Sequence, residues 1–300
     1  MRWTEAEIGD QGGRTFLVTG ANSGLGFEMS RALLAKGARV IMAVRSEAKG
    51  RAAIEALPAR ERAELRIVDL ADLDTVRRLA DDLRREGVAI DVLVNNAGVM
   101  MPPRTLSAQG HELQFAANHL GHFALTGLLL DLVGDRVVTV SSSLHRSGSI
   151  HYDDLDGAKG YSPGKYYSQS KFANVLFGLE LDRRLRAAGS PVRSVLAHPG
   201  YSATNLQTSG PTGVLKALMR VGNAVMAQPA ARGALNQLYA AVDPRAEGGQ
   251  FIGPDGMKES RGWPTVVEPV GTAKDPADAQ RLWTLSEQLT GVQFELARSR

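Results

Sequence analysis

Tyr167 and Lys171, in the stretch Lys165-Tyr166-Tyr167-Ser168-Gln169-Ser170-Lys171, stand four residues apart. That offset puts a phenol and an ammonium on one face of a helix. A free tyrosine has a pKa of about 10 and is a poor acid or base at neutral pH. A neighbouring cation favours the phenolate and draws that pKa toward the working range. The pair is therefore suited to passing a proton to or from a substrate oxygen. Tyr166 lies alongside, but only Tyr167 has a lysine at i+4. Helices carry such pairs by chance, so the pair gains its force from what lies upstream.

Upstream, the run Thr15–Thr19 leads into Gly20-Ala21-Asn22-Ser23-Gly24-Leu25-Gly26, and a helical pattern follows. Glycines let the backbone turn tightly and approach a pyrophosphate, which then sits on the N–H groups of the helix start. Gly20, Asn22, Ser23, Gly24, Leu25 and Gly26 are the expected contacts. The spacing is Gly-x-x-x-Gly-x-Gly rather than Gly-x-Gly-x-x-Gly, and no Lys-Ser/Thr follows it, so a nucleoside triphosphate loop fits poorly. The next run ends Ala43-Val44-Arg45-Ser46. An acid there would bind the ribose 2′-hydroxyl of NAD, whereas an arginine accommodates the 2′-phosphate of NADP. Arg45 thus favours NADP over NAD. Asp69-Leu70, closing the third run, can reach an adenine, and Asp69 also suits the N-cap of a helix beginning at Leu73.

These residues need a scaffold that brings distant segments to one edge. Short apolar runs (Thr15–Thr19, Arg39–Val44, Leu65–Val68, Val92–Val94, Val137–Val140, Val192–Ala197 and Gln250–Ile252) alternate with helical patterns. The helical patterns cover Leu25–Lys36, Glu47–Leu57, Leu73–Glu86, Glu112–Leu132, Lys171–Ala188 and Ala231–Val242. Apolar runs separated by helices predict an α/β fold: a Rossmann-type doubly wound parallel sheet of about seven strands, with helices on both faces. No linker divides it, so residues 1–300 are expected to form a single dinucleotide-binding domain. Tyr201–Met226 breaks the alternation and reads as an inserted substrate loop, apolar and glycine-containing, that closes as a lid or meets a second copy in a homodimer. Trp263–Arg300 reads as a loop followed by a helix around Asp278–Leu289.

Composition bounds the function. Hydrophobic residues at 43% and charged residues at 22% are those of a globular chain able to bury a sizeable core. With no cysteine there is no disulfide, thiolate nucleophile or cysteine-ligated metal. That is compatible with a cytoplasmic location. The first residues lack the apolar core of a signal peptide, and no apolar stretch is long enough to span a bilayer. Thirty-five basic and 32 acidic residues give a mixed surface of net charge +3, with no basic run of the kind that tracks nucleic acid. His119 and His122 share a helical spacing but have no carboxylate at ligand distance in sequence, so a structural role is expected and no metal. His145 and His151 are candidates for the border of the substrate entrance. Asp153, Asp154 and Asp156 read as a solvated turn.

At this point the motifs, taken together, match a family. Thr19-Gly20-x-x-x-Gly24-x-Gly26, Asn95-Asn96-Ala97-Gly98, Asn118, Val140-Ser141-Ser142, Tyr167-x-x-x-Lys171 and His198-Pro199-Gly200 follow one another in order. In these the chain resembles the short-chain dehydrogenases/reductases, over residues 14–255. Asn118-His119-Leu120-Gly121-His122-Phe123, Asp154-Leu155-Asp156-Gly157 and Ser170-Lys171-Phe172-Ala173-Asn174-Val175-Leu176-Phe177 look like the retinol dehydrogenase-like branch. Membrane-bound members of that branch carry an N-terminal anchor that this sequence does not show, which implies a soluble variant.

The resemblance implies a catalytic set of Asn118, Ser142, Tyr167 and Lys171. Tyr167 exchanges the proton, Lys171 lowers its pKa and reaches the nicotinamide ribose, and Ser142 donates to the substrate oxygen. Asn118 holds a water that connects Lys171 to solvent. Asn95, Ala97 and Gly98 are expected to wall the cofactor, although Asn95 and Asn96 equally suit bonding the backbone of the central sheet. Pro199 and Gly200 are expected beside the nicotinamide amide, with Ser202 or Thr204 as a further contact. The expected activity is hydride transfer between NADP(H) and a small-molecule alcohol or carbonyl of lipophilic character. Two other readings fit the sequence less well. A nucleotide-sugar epimerase has a different glycine pattern and a larger C-terminal part. A non-catalytic NADP-sensing regulator tends to lose the tyrosine or lysine, and here both are present.

Overall fold

The computed structural model describes residues 2–202, 228–256 and 258–296. Its centre is β1 (Thr15–Thr19), buried at every position. β1 runs parallel between β2 (Arg39–Val44) and β4 (Ile90–Asn95). With β3 (Ala63–Ile67), β5 (Val133–Val140), β6 (Arg193–Ala197), β7 (Phe251–Gly256) and β8 (Arg261–Val267), the order is β3-β2-β1-β4-β5-β6-β7-β8. The winding direction reverses between β1 and β4. In such a sheet the crevice at the carboxyl ends of the strands, beside that reversal, is where ligands sit.

Among the described residues seven helices pack on the strands: α1 (Gly24–Ala35), α2 (Glu47–Glu55), α3 (Leu73–Arg85), α4 (residues 113–129), α5 (Pro163–Ala187), α6 (Ala230–Val242) and α7 (Pro276–Thr290). Strand residues alternate faces, and the helices divide accordingly. Phe16 and Val18 pack with Met29 and Leu33 of α1 and Leu235 and Leu238 of α6. Leu17, between them, packs on the other face with Val76 of α3, Phe123 of α4, Phe177 of α5 and Trp283 of α7. Both faces of the parallel sheet are therefore covered, which is why its central strands are predominantly apolar.

Three boundaries depart from the sequence reading. The sheet has an eighth strand, because Arg261–Val267 is antiparallel to β7 rather than a loop. Gly262 and Pro264 hid it. Proline is tolerated on an edge strand, and here Pro264 stands opposite Pro254. α5 starts at Pro163, not Lys171, since a proline fits the first helical turn, where no N–H is needed. The cap of α3 is Asp72, whose carboxylate accepts from Asp74 N at 3.1 Å, and not Asp69. Of the expected insertion Tyr201–Met226, residues 203–226 and with them Thr204 lie outside the described residues. Its flanks are tied together, with Ser202 bridged to Gln228 and Gln228 Nε2 donating to Pro199 O at 2.7 Å.

Candidate active site and cofactor cleft

A cleft of about 450 Å³ opens at the carboxyl edge of the sheet. Its floor is the loop from Gly20 to Gly26. Arg45 stands at the end of β2, Asp69 and Leu70 after β3, and Ala97 and Gly98 after β4. Val99, Leu113 and Ala117 complete an apolar side that sequence reasoning did not single out.

Backbone geometry explains the glycines. Gly20 and Gly24 take φ of 66° and 56°, the left-handed region. At Gly26 a Cβ would stand 2.6 Å from both Asn96 Nδ2 and Gly20 O. The loop is thus folded too tightly on itself for a side chain, leaving its backbone open to a ligand. Ser23 heads α1 without giving a side-chain cap. The first-turn N–H groups of a helix in that state suit an anion such as a pyrophosphate.

Asn95 and Asn96 part company. Asn95 is fully buried and donates to Thr126 Oγ1 at 2.9 Å, facing α4 rather than the cleft. Asn96 lines the cleft, donates from Nδ2 to Thr19 O at 2.7 Å and from its backbone N to Thr19 Oγ1 at 2.9 Å. Period-2 alternation at the end of β4 is the signal that separates the two. The Asp69 carboxylate accepts from Ala71 N at 3.0 Å, fixing the turn after β3. Arg45 is exposed, and it has no carboxylate or hydrogen-bond partner among the described residues.

Beyond the Gly98 wall lie the acid–base residues. A Cβ on Gly98 would meet Asn118 Oδ1 at 3.1 Å and Lys171 Nζ at 3.6 Å. Lys171 and Tyr167 are both buried on α5, with Nζ 5.9 Å from the centroid of the phenol ring. Nζ donates to Val140 O at 3.2 Å, and Asn174 Nδ2 donates to the same oxygen at 3.1 Å. Ser142, two residues beyond the end of β5, adjoins the Tyr167 phenol. Its oxygen also accepts from Leu144 N at 3.2 Å.

Burial pushes the Tyr167 phenol up to about 12, with the Ser142 hydrogen bond opposing it. Burial also pushes Lys171 down to about 8. The expectation that Lys171 would hold the phenol below its ordinary value does not describe this arrangement. Desolvation is the larger effect, and the ammonium is turned toward Val140 O.

Asn118 lies in a π turn, Ala116–Leu120, within α4. Such turns inside helices are frequent at functional sites. Its side chain is fully engaged. Oδ1 accepts from Val99 N at 2.7 Å, and Nδ2 donates to Val99 O at 3.0 Å and Ser170 Oγ at 2.9 Å. Its main-chain oxygen accepts from His122 Nδ1 at 3.0 Å.

His119 and His145 are interior. His119 Nε2 lies 2.8 Å from Ser286 Oγ, and burial pushes the ring down to about 3. His145 has no exposed surface. Its Nδ1 donates to Ser142 O at 2.7 Å, its Nε2 accepts from Val270 N at 3.2 Å, and burial pushes it down to about 4. It therefore steadies the Ser142 turn rather than bordering an entrance. His151 is only partly buried, packed against the Tyr166 ring. The Pro199-Gly200 turn follows β6, beside the end of β5. Gly200 has φ of 65°, and a Cβ there would meet Ser260 O at 2.5 Å. Ser202 Oγ donates back to Pro199 O at 2.9 Å.

Comparison with known proteins agrees with this geometry. Residues 14–213 match the family model of the short chain dehydrogenases. Human retinol dehydrogenase 14 is 38% identical over 310 residues, spanning 95% of this chain and 89% of that protein. Mouse polyprenol dehydrogenase is 38% identical over 293 residues, spanning 94% and 85%. The crystal structure of an uncharacterized protein from Mycobacterium paratuberculosis superposes with a TM-score of 0.84 at 46% identity, over 98% of this chain and 99% of that one. No helix among the described residues is long and apolar enough to cross a membrane. The chain belongs to the short-chain dehydrogenase family, as an oxidoreductase of its retinol dehydrogenase-like branch that works with a nicotinamide cofactor.

Proposed function

We propose that the protein interconverts a lipophilic alcohol and its carbonyl compound, with NADP(H) preferred over NAD(H). The observation that carries the cofactor preference is Arg45. Its guanidinium is exposed at the rim of the cleft, unpaired among the described residues, where β2 ends without an acid. A planar guanidinium there suits a 2′-phosphate by paired hydrogen bonds. The glycine loop and the start of α1 would hold the pyrophosphate, Asp69 and Leu70 the adenine side, and Gly98, Pro199 and Gly200 the nicotinamide side.

A reduced nicotinamide, when bound, would supply hydride to the carbonyl carbon. Tyr167 gives its phenolic proton to the carbonyl oxygen as charge builds there. Ser142 stabilises that charge by donating a second hydrogen bond. Lys171, protonated below about pH 8, stabilises the phenolate left on Tyr167. The Asn118 side chain holds the Val99 peptide against Ser170, and its main-chain oxygen is the seat for a water that returns protons to Lys171. In oxidation the same groups act in reverse.

The lipophilic class is supported by the two relatives, which are named for retinol and polyprenol. The test is NADPH oxidation with aldehydes of increasing chain length, alongside NADH. The expected result is turnover that rises with chain length and favours NADPH. Equal rates for short polar and long apolar aldehydes would overturn the substrate class. Equal use of NADH would overturn the cofactor preference.

A further inference from the structure

The proposed chemistry leaves His122 without a part. It is buried at 1% exposure inside α4, pushed down to about 4 by burial, and both ring nitrogens have partners. Nδ1 faces Asn118 O at 3.0 Å and Nε2 faces Thr19 Oγ1 at 2.9 Å. A carbonyl oxygen can only accept, so the proton sits on Nδ1 and Nε2 is left as an acceptor. The Thr19 hydroxyl therefore donates to Nε2, which is nearer than its alternative, Val94 O at 3.3 Å. That leaves the Thr19 oxygen to accept two N–H groups, from Asn96 and Ala97, each at 2.9 Å. Every donor and acceptor of the His122 ring and the Thr19 hydroxyl is thereby matched, and a protonated imidazole would have no acceptor for its second proton.

The consequence is a physical link between two halves of the site. At one end, Asn96 and Ala97 form the wall of the cleft that abuts the glycine loop, where a Cβ on Gly20 would stand 3.0 Å from Ala97. At the other, Asn118 grips the Val99 peptide and Ser170, next to Lys171. We infer that His122 is a positioning residue that couples the cofactor wall to the Asn118 turn, acting through Thr19 on one side and the Asn118 carbonyl on the other. It touches neither cofactor nor substrate. The inference rests on the oxidoreductase reading above and adds to it a residue that sets the register between hydride donor and proton donor.

The two bonds can be cut one at a time. His122→Asn keeps a donor at the Nδ1 position and loses the acceptor for Thr19. His122→Gln keeps an acceptor at the Nε2 position and loses the donor to Asn118. NADPH dissociation constants come from fluorescence titration, which needs no turnover, and kcat from the preferred aldehyde. His122→Asn is expected to weaken NADPH binding about tenfold, because the Thr19 hydroxyl loses its orientation toward the Asn96 and Ala97 N–H groups. His122→Gln is expected to bind NADPH within about twofold of wild type and to lose roughly ten- to a hundredfold in kcat through misalignment. Should either His122 variant fail to fold, Thr19→Val removes the hub and should reproduce the binding defect, and Thr19→Ser, which keeps the hydroxyl, should restore the wild-type dissociation constant. Variants that lose thermal stability but keep both wild-type binding and wild-type kcat would overturn the coupling and leave His122 a core residue. A wild type that binds NADPH but reduces no carbonyl would sink the oxidoreductase reading instead, while the dissociation constants still decide the Thr19 half of the link.

Discussion

Lys171 and Tyr167 are buried one helical turn apart, with the ammonium 5.9 Å from the centre of the phenol ring and directed at Val140 O. Burial opposes charge on both, pushing Lys171 down to about 8 and Tyr167 up to about 12. Carbonyl reduction needs a protonated Tyr167 with a cation beside it. The phenol keeps its proton well past pH 8, but the lysine does not, so kcat for reduction should hold near pH 7 and fall as pH rises through about 8. A rate profile flat from pH 7 to 10 would remove Lys171 charge from the mechanism.

The same shift bears on stability. A base whose folded pKa is lowered destabilises the fold fully below that value. The penalty is relieved between the folded value, about 8, and the unfolded one, 10.5, because the unfolded chain binds the extra proton in that window. Lys171→Met should therefore abolish turnover yet raise the melting temperature at pH 7, with the gain shrinking by pH 10. Calorimetry at the two pH values checks it. A melting temperature below wild type at pH 7 would show that the lysine is stabilised by contacts rather than penalised by burial.

Tyr167→Phe and Tyr166→Phe should fail in different ways. Without the Tyr167 hydroxyl there is no proton donor, so turnover is lost while NADPH binding stays within a fewfold. Tyr166 is also fully buried, but its hydroxyl donates to Asp154 O at 2.6 Å. Tyr166→Phe should keep most turnover and lose about 1–2 kcal/mol of stability, as expected where a hydrogen-bond partner is left behind. Denaturant melts and steady-state rates on the pair separate the two. Comparable activity in both variants would take the proton role away from Tyr167.

Arg45→Ala should weaken NADPH binding by roughly 1.5–3 kcal/mol, about ten- to a hundredfold, and leave NADH nearly unchanged. Only the 2′-phosphate distinguishes the two ligands, so titration of both reads that contact alone. Equal weakening of both would make Arg45 a surface residue of α2's approach and void the specificity argument.

Asp135 joins three strand starts, pairing with Arg14 at 2.6 Å, Arg136 at 3.0 Å and Arg193. Burial alone would raise its carboxyl, but Arg193 and Arg136 outweigh that and hold it below the usual range. A lowered carboxylate pKa gives stability that is present above the unfolded value and lost as pH falls through the folded one. Asp135→Asn should cost roughly 2 kcal/mol at pH 7, less than a fully enclosed pair because the carboxylate keeps some solvent contact. The difference from wild type should vanish at low pH. A deficit that persists unchanged at pH 2 would point to lost packing instead of lost charge.

Much of the architecture was legible because parallel strands buried on both faces must be apolar throughout. The runs at Thr15–Thr19 and Arg39–Val44 match β1 and β2 residue for residue. The glycines of the loop after β1 were legible for a related reason, since only a residue without Cβ fits at Gly26, where a Cβ would stand 2.6 Å from Asn96 Nδ2 and Gly20 O. Pairings between distant segments were not legible. β8 hid behind Gly262 and Pro264 because its status as an edge strand is decided by its neighbour β7. Alternation along β4 sets Asn95 and Asn96 on opposite sides, but which of them faces the cleft is decided by the packing of Asn95 against Thr126 of α4. Sequence alone also pairs Lys171 with Tyr167 by spacing, but it carries no measure of desolvation. That depends on how much protein surrounds both groups in three dimensions, and it is what raises the phenol and lowers the ammonium here.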